Sequence, residues 1–527
     1  MNKNTFEALN LADILTEIKP LSLGKQWQHR PYSPQHKQKL QNYFEKLKLL
    51  LNSLEKNPQL STQLSGQLVH LNNIKNTLNK LEKIQILQVF EVQEIKNLLY
   101  FYLKIKKILQ KNKLSIIQLP KVEKLFSFLD KEDQNSPVFH LSNCYSAKYA
   151  KLLQEYEQTT KKLAQLRKEN LQKAASQLNM TKAEPQIVVS RLDKKQIEKL
   201  TNSESYYLEA ENFANYTFQI RKTEAILELE NIQNTLQTAI EKESSKILEK
   251  ISKVISVYEE ELSTIFSELT KLDMLLAKAE FCRKHNCCVP NITRKLSLKQ
   301  ARNLPLEWEL SKNNIALQPV DINLQNKVNI ITGTNMAGKT TVLKTIGQIV
   351  YLANCGIPVP CQKADLPLVE FIFFSGYQQS RMDLSSFASE VVEINEVLSE
   401  PGSGLVLIDE FARGTNPEEG EAFSKTVLEV FLEKESLVVA ATHFSAPAQI
   451  KKAAHFRIKG IKADNYAKLQ QLPNLQNRLA ELHKFMDYSL KQVAVDSPPP
   501  KAALIIAEIL GIDRKIIKKA KDFLNDK

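Results

Sequence analysis

The chain is short of several things a sequence of 527 residues could have. It has no uninterrupted apolar run of the roughly 18 residues that a membrane helix needs, and its N-terminus (MNKNTFEALNLADILTEIK) lacks the apolar core of a secretory leader. The expectation is a cytoplasmic protein without a membrane partner. Six cysteines in 527 residues are too few for the disulfide framework of small secreted domains. Cys282, His285, Cys287 and Cys288 lie close together, but no second Cys-x-x-Cys or His-x-His half accompanies them, so ordinary buried thiols are expected. Only 13 glycines against 20 prolines exclude collagen-like or flexible-linker character, and 43% hydrophobic with 25% charged residues excludes wholesale disorder.

What is present is length, charge asymmetry and helix. The chain is too long for one hydrophobic core. The formal charge of +13 is unevenly spread: residues 1–200 carry 33 basic and 18 acidic side chains, residues 351–450 carry 5 and 15. A basic front part suits a polyanion, although a solvated lysine-rich helical surface accounts for the same numbers. From residue 6 to about 285, apolar residues recur every three or four positions. The stripe Ile247, Ile251, Val254, Tyr258, Leu262, Ile265, Leu269, Leu272 and Leu276 predicts one long rod. The polar EDQNSP segment predicts a break near residue 135. PQIVVSRL (185–192) and YTFQIRK (216–222) predict two short strands. After residue 290 an α/β domain is expected, with an extended stretch from Trp308 and buried parallel strands at Val328–Thr332, Leu405–Asp409 and Leu437–Thr442.

The chemistry is concentrated in that last part. Gly333-Thr334-Asn335-Met336-Ala337-Gly338-Lys339-Thr340, followed by Thr341, fits G-x-x-x-x-G-K-[ST] between a strand and an apolar helix. Glycines let backbone amides converge on phosphate, the helix N-terminus adds partial positive charge, Lys339 reaches the outer phosphates and the Thr340 hydroxyl suits Mg²⁺. The apolar run Leu405–Ile408 delivers Asp409 and Glu410 to a strand end, Asp409 to hold Mg²⁺ and Glu410 to take a proton from water. His443 ends a third strand, where it could sense the γ-phosphate.

The runs ITGTNMAGKTT, DLSSFASEVVEINEVL, GLVLIDEFARGTNPEEGEAF and VVAATHFS resemble the ATPase domain of the MutS family in order and spacing. The wording TNPEEG is closer to the second bacterial MutS branch than to the mismatch-repair branch. The resemblance implies a multidomain α plus α/β protein: a helical lever domain (1–135), coiled-coil arms with a small β clamp (136–289), a P-loop ABC-type ATPase domain (290–495) and a C-terminal helix-turn-helix dimerisation segment (496–527). It implies a homodimer that binds ATP with Mg²⁺, with Ser385 meeting the partner's γ-phosphate in trans and Arg413 to Asn416 in a loop at the dimer interface. It further implies DNA as partner, clamped in repair or recombination, with Arg191, Lys194, Lys195, Arg221 and Lys222 as candidate phosphate contacts. Neither the family's N-terminal mismatch reader nor an Smr nuclease module has a counterpart, Ala337 replaces a usual glycine, and Pro498-Pro499-Pro500 replaces a usual Ser-Tyr-Gly. Mismatch readout is therefore not expected. The alternative expectation keeps the ATPase but gives it a protein or ribonucleoprotein partner, such as a cobalamin-dependent aminomutase or a stalled ribosome.

Overall fold

A computed structural model describes residues 1–132, 134–141, 143–334, 337–376, 386–461, 486–494, 497, 504, 507–508 and 512–525. Contacts divide the chain into two compact units, one of residues 70–107 and 118–268, the other of residues 1–69, 108–117 and 269–527. Among the described residues, no helix is long and apolar enough to cross a membrane.

The smaller unit is built on two long helices, Ala147–Gln177 and Glu224–Ser256. Ser146 starts the first by accepting from the Tyr149 amide. Contacts run in opposite sequence order, Ser146 to Glu243, Gln233 to Thr160 and Arg167 to Glu230, so the pair is antiparallel. Beyond it lies a small sheet of strands β1 (Gln186–Ser190), β2 (Tyr206–Glu211) and β3 (Asn215–Ile220) in the order β1-β3-β2, all antiparallel. Its core joins Val189, Leu200, Tyr206 and Phe218 to Ala174 and Leu178 at the end of the first long helix. Two strands were expected, and the third is β2. The single long rod is also corrected. The helix stops at Ser256 and a new one, Glu259–Lys284, begins after a turn at Val257 and Tyr258. Three consecutive acids, Glu259 to Glu261, occupy the first turn of the new helix, where the positive end of its dipole favours them.

The larger unit contains two sheets. Strands β4 (Asn291–Thr293), β5 (Leu296–Ala301), β6 (Val320–Leu324) and β8 (Lys363–Pro367) form one in the order β4-β8-β5-β6. The other has the order β13-β12-β7-β11-β10-β9, with β7 (Val328–Thr332), β9 (Phe371–Ser375), β10 (Gly404–Asp409), β11 (Leu437–Thr442) and β12 (Ala454–Ile461) parallel and β13 (Met486–Val493) antiparallel at the edge. Alternate residues feed opposite cores. Ile331, Leu405, Leu407 and Val439 pack with the helix Lys339–Asn354, while Ile330, Val406, Ile408 and Val438 pack with Val427, Leu428 and Phe431 of the helix Pro417–Glu433. Apolar cover on both faces is why these strands read as continuous apolar runs. The stretch from Trp308, expected extended, lies instead in a helix, Leu304–Lys312, because Asn303 accepts from the Leu306 amide and Pro305 suits the first turn.

The first residues belong to this unit. The four-part division expected along the chain begins a separate lever at residue 1, whereas contacts group residues 1–69 with the sheets. Leu9, Leu11 and Ile14 are fully buried in the core under the helix Lys339–Asn354. A Cβ on Gly347 would lie 2.7 Å from Leu9 Cδ2 and 2.8 Å from Leu407 Cδ1, so glycine is what lets the helix sit between the N-terminal segment and β10. Fully buried Asp273 accepts from the amides of Leu21, Ser22 and Gly24, each at 2.9 Å.

Lys278 lies on the same helix as Asp273, five residues on. Its Nζ donates to the Cys355 carbonyl at 2.9 Å and stands 4.8 Å from the Tyr43 ring centre. Burial pulls its ammonium down to about 7, and burial beside it pushes His29 down to about 4. Tyr43 and Cys355, the other titratable groups facing it, are both raised by burial, so among the described residues no carboxylate balances the lysine. Between about pH 7 and the ordinary 10.5 the folded chain therefore binds fewer protons at this site than the unfolded chain. The cost of burying the charge is full below that window and is relieved as pH rises through it. Thermal denaturation from pH 7 to 10 should show the protein gaining stability relative to Lys278→Met. Parallel curves would mean the lysine is not desolvated.

Candidate functional site

Strand β7 delivers Gly333 to the end of the sheet, and the chain re-enters helix at Lys339. Gly338 sits at φ +89, and a Cβ there would meet the Tyr488 ring at 3.1 Å, so both backbone and space require glycine. Gly333, Thr334, Ala337, Gly338, Lys339, Thr340 and Thr341 are all placed on this turn. Asn335, Met336 and Ser385 lie outside the described residues. Lys339 Nζ curls back to the Gly333 carbonyl at 2.9 Å and the Thr334 carbonyl at 3.4 Å.

Two strands away, β10 ends at Asp409. The Thr340 hydroxyl donates to Asp409 Oδ2 at 2.7 Å, whereas Oδ1 is buried without a hydrogen-bond partner. Burial raises the Asp409 carboxyl above its ordinary value, and the neighbouring Glu410 charge adds to this. A hydroxyl beside a carboxylate with one bare oxygen is a hard-oxygen donor set that fits Mg²⁺. Glu410 is held between two cations, Oε1 at 3.2 Å from Lys339 Nζ and Oε2 at 2.9 Å from Arg413 Nη1.

The turn after β10 is strained: Glu410 and Ala412 have φ of 50° and 63°. Two hydrogen bonds hold it, from the Glu410 amide to the Ala441 carbonyl on β11 at 2.9 Å and from the Ala412 amide to Glu390 Oε2 at 2.8 Å. Burial raises the Glu390 carboxyl. His443 follows β11 with its side chain exposed; desolvation by the surrounding protein lowers its imidazole against the opposing pull of the Glu410 charge.

An open polar cavity of about 400 Å³ is lined by Thr334, Gly338, Lys339, Thr340, Thr341, Glu410 and Arg413. Gly338 and Thr341 also line a second cavity, about 220 Å³ and mostly apolar, whose walls include Leu306, Leu310, Ile315, Leu317, Val320 and Tyr488. Sequence reasoning missed this second cavity, and with it Tyr488 and Gln318, which accepts from the Tyr488 amide at 3.3 Å. Tyr488 is about 150 residues from the phosphate-loop motif and carries no motif of its own. Glu390 was overlooked within a quoted run because its partner is a backbone amide.

The five basic residues proposed for phosphate are placed on or beside the small sheet, and three are engaged there. Arg191 donates to the Asn212 carbonyl at 2.7 Å, pairs with Glu211 at 3.4 Å and lies over the Tyr216 ring. Arg221 donates to the Tyr206 carbonyl at 3.2 Å, and Lys222 pairs with Glu230 at 2.7 Å. Lys194 and Lys195 are exposed and have no ion pair among the described residues. Residues 182–222 hold seven basic and six acidic side chains.

The bare Asp409 oxygen generates a prediction. Because Asp409 is raised, its burial stabilises the protonated form, and the cost of its charge grows as pH rises through the folded value and is full above it. At pH 7 Asp409→Asn should raise the thermal midpoint of the ligand-free protein, while removing any stability that Mg²⁺ with ATP adds. Calorimetry with and without Mg²⁺ and ATP checks both; a lower ligand-free midpoint would show that the carboxylate is not strained when empty.

Comparison with known proteins bears on this arrangement. Residues 329–526, from β7 through the last described helix, match the family model for MutS domain V. The protein named Endonuclease MutS2 from Caldicellulosiruptor saccharolyticus is 32% identical over 309 residues, covering 57% of this chain and 36% of that one. Those from Fusobacterium nucleatum and Lactobacillus acidophilus are each 29% identical, covering 57% and 58% of this chain and 37% of their own lengths. The chain thus spans little more than a third of the length of these relatives. The phosphate-loop motif, the Asp409-Glu410 strand end and His443 come to one end of a parallel sheet, and the part of the chain that carries them, residues 329–526, is similar to MutS domain V.

Proposed function

We propose that this protein is an ATPase of MutS type, working as a homodimer that uses ATP binding and hydrolysis to hold DNA. The observation that carries the reading is the meeting of Lys339, Thr340, Asp409 and Glu410 at the C-terminal ends of β7 and β10. In this reading the polar cavity takes the phosphates and the apolar cavity takes adenine against Tyr488. Thr340 Oγ1 and Asp409 would hold Mg²⁺, which when bound neutralises phosphate charge. Entering phosphate competes for Lys339, which releases one side of the Glu410 carboxylate. Glu410 then accepts a proton from the attacking water, and His443 faces the terminal phosphate. Ser385 and the Arg413 to Asn416 loop act across the dimer interface, the serine on the partner's phosphate. The lever, arm and clamp, ATPase and helix-turn-helix segments (1–135, 136–289, 290–495, 496–527) are kept as functional parts, although contacts divide the chain otherwise.

Glu410→Gln should retain ATP binding, with affinity equal to or above wild type because Lys339 no longer has a competing carboxylate. Its turnover should fall by roughly 10² to 10⁴. Steady-state hydrolysis and nucleotide titration of the same preparation measure both, and unchanged turnover would remove Glu410 from the mechanism.

DNA is the partner because the relatives' name is that of an endonuclease and because residues 1–200 carry the basic excess. The second reading, a protein or ribonucleoprotein partner, is favoured by one specific feature. The clamp is almost charge-balanced, and at its turns Leu192 and Phe213 are fully solvent-exposed. Anisotropy titrations of duplex and branched DNA over a salt series separate the two. The DNA reading expects sequence-blind binding that weakens steeply with salt, and loss of about one unit of log–log slope for Lys194→Ala or Lys195→Ala. Arg191→Ala should change the slope less, since that side chain is spent on the hairpin. Absence of saturable binding at low salt would transfer the proposal to the second reading.

A further inference from the structure

The nucleotide site uses none of the cysteines, yet two of them are brought into sulfur contact from positions 73 apart. Cys288 and Val359 exchange both backbone hydrogen bonds, each at 2.9 Å, in an isolated antiparallel bridge. The Cys361 amide then folds back to the Val359 carbonyl at 2.8 Å, and this tight turn carries Cys361 Sγ to 3.5 Å from Cys288 Sγ. Cys288 is partly exposed, while Cys361 is 2% exposed.

We propose that Cys288 and Cys361 form a reactive dithiol, a modification site at which a hydroperoxide is reduced and a Cys288–Cys361 disulfide is formed. The contact with the Cys361 sulfur, together with the Ala364 amide, holds Cys288 below the ordinary thiol value; the same contact, with burial, pushes Cys361 up. Of the two, Cys288 is therefore the sulfur that gives up its proton more readily and the one with access to solvent, with Cys361 buried behind it. The Cys288 thiolate attacks the outer oxygen of the peroxide, breaking the O–O bond to give a sulfenic acid and an alkoxide or hydroxide, which takes a proton from solvent and leaves as alcohol or water. Cys361 sulfur then attacks the Cys288 sulfur, its proton leaving with the hydroxyl as water, so two thiols lose two electrons in total and the peroxide gains them. The sulfurs need to close from 3.5 Å to about 2.0 Å. The remaining neighbours are not set up for this. Cys282 Sγ donates to the Cys287 carbonyl at 3.2 Å, and burial raises both Cys282 and Cys287. The new bond would close a covalent ring containing β7, the phosphate loop and the helix Lys339–Asn354.

The test uses the full chain carrying Cys144→Ser, which removes the one exposed thiol. It is treated with a small excess of hydrogen peroxide, quenched with an alkylating agent, and read by intact mass and non-reducing peptide mapping. The expected result is a loss of about 2 Da and one new linked peptide pair containing residues 288 and 361, reversed by a thiol reductant. Cys361→Ser should leave Cys288 as a sulfenic acid trapped by a cyclic 1,3-dione. Cys288→Ser should lose free thiols about tenfold more slowly. The same map is made on the wild-type chain, where the 288–361 pair is expected as well, so a variant that fails to fold does not weaken the test. Linkage through Cys282 or Cys287, or a sulfinic acid on Cys288 with no cross-link, would overturn the proposal.

Discussion

A half-buried carboxylate with one oxygen satisfied and the other buried and bare is the constraint around which the larger unit is arranged. Asp409 can stay there only because Thr340 donates to Oδ2 at 2.7 Å, and that bond needs the loop after β7 and the end of β10 at matching heights, although β11 lies between them in the sheet. Parallel strands of nearly equal length meet this demand: Asp409 pairs with Ala441, and Thr442 with Thr332. Next to it, Lys339 and Arg413 hold Glu410 on a backbone with positive φ. The strain of that turn is offset by bonds to Ala441 and Glu390, groups that bind no ligand themselves. Charge is thus stored in a desolvated, partly unpaired state that a polyphosphate with a divalent cation can relieve.

The same economy appears behind the site. The helix leading from the phosphate loop is pressed on Leu9 at one side and Leu407 at the other, with no room for a methyl group at Gly347. Asp273 gathers three amides from residues 21 to 24, so the N-terminal segment is fixed by a fully buried carboxylate whose acceptors are well used. Lys278 is the opposite case, a buried ammonium with one carbonyl and an aromatic face. The helix Glu259–Lys284 therefore carries one stabilising and one costly buried charge five residues apart.

Local chemistry decided what the sequence could reveal. The strands Val328–Thr332, Leu405–Asp409 and Leu437–Thr442 and the Gly333–Thr340 turn were legible because burial on both faces and phosphate-loop geometry each impose a short, contiguous pattern. Strand β2 (YYLEAE) was not, because only Tyr206 in it is buried and no alternation survives. Trp308 misled because an aromatic beside prolines resembles a strand start, whereas Asn303 had already capped a helix. The break at Val257 was hidden since the apolar stripe continues in phase across it. Tyr488 and Gln318 depend on partners 170 positions apart, and the packing of Leu9 on a helix more than 300 positions away, for which spacing carries no signal.

The clamp shows how far an overall charge can mislead about a surface. A front part with 33 basic and 18 acidic side chains suggests phosphate everywhere, yet residues 182–222 balance seven against six. Arg191, Arg221 and Lys222 are committed to carbonyls, rings and Glu230 that shape the sheet and fasten it to the long helices. Electrostatic attraction to a polyanion must then come from basic residues outside the clamp and from Lys182, Lys194, Lys195 and Lys199, which are exposed and have no ion pair among the described residues. What the clamp itself presents at its turns is apolar, Leu192 and Phe213. In the protein-partner reading the clamp would contribute the burial of these two large side chains, a term that salt does not screen, so a phosphate-based grip and an apolar one can be told apart by salt alone.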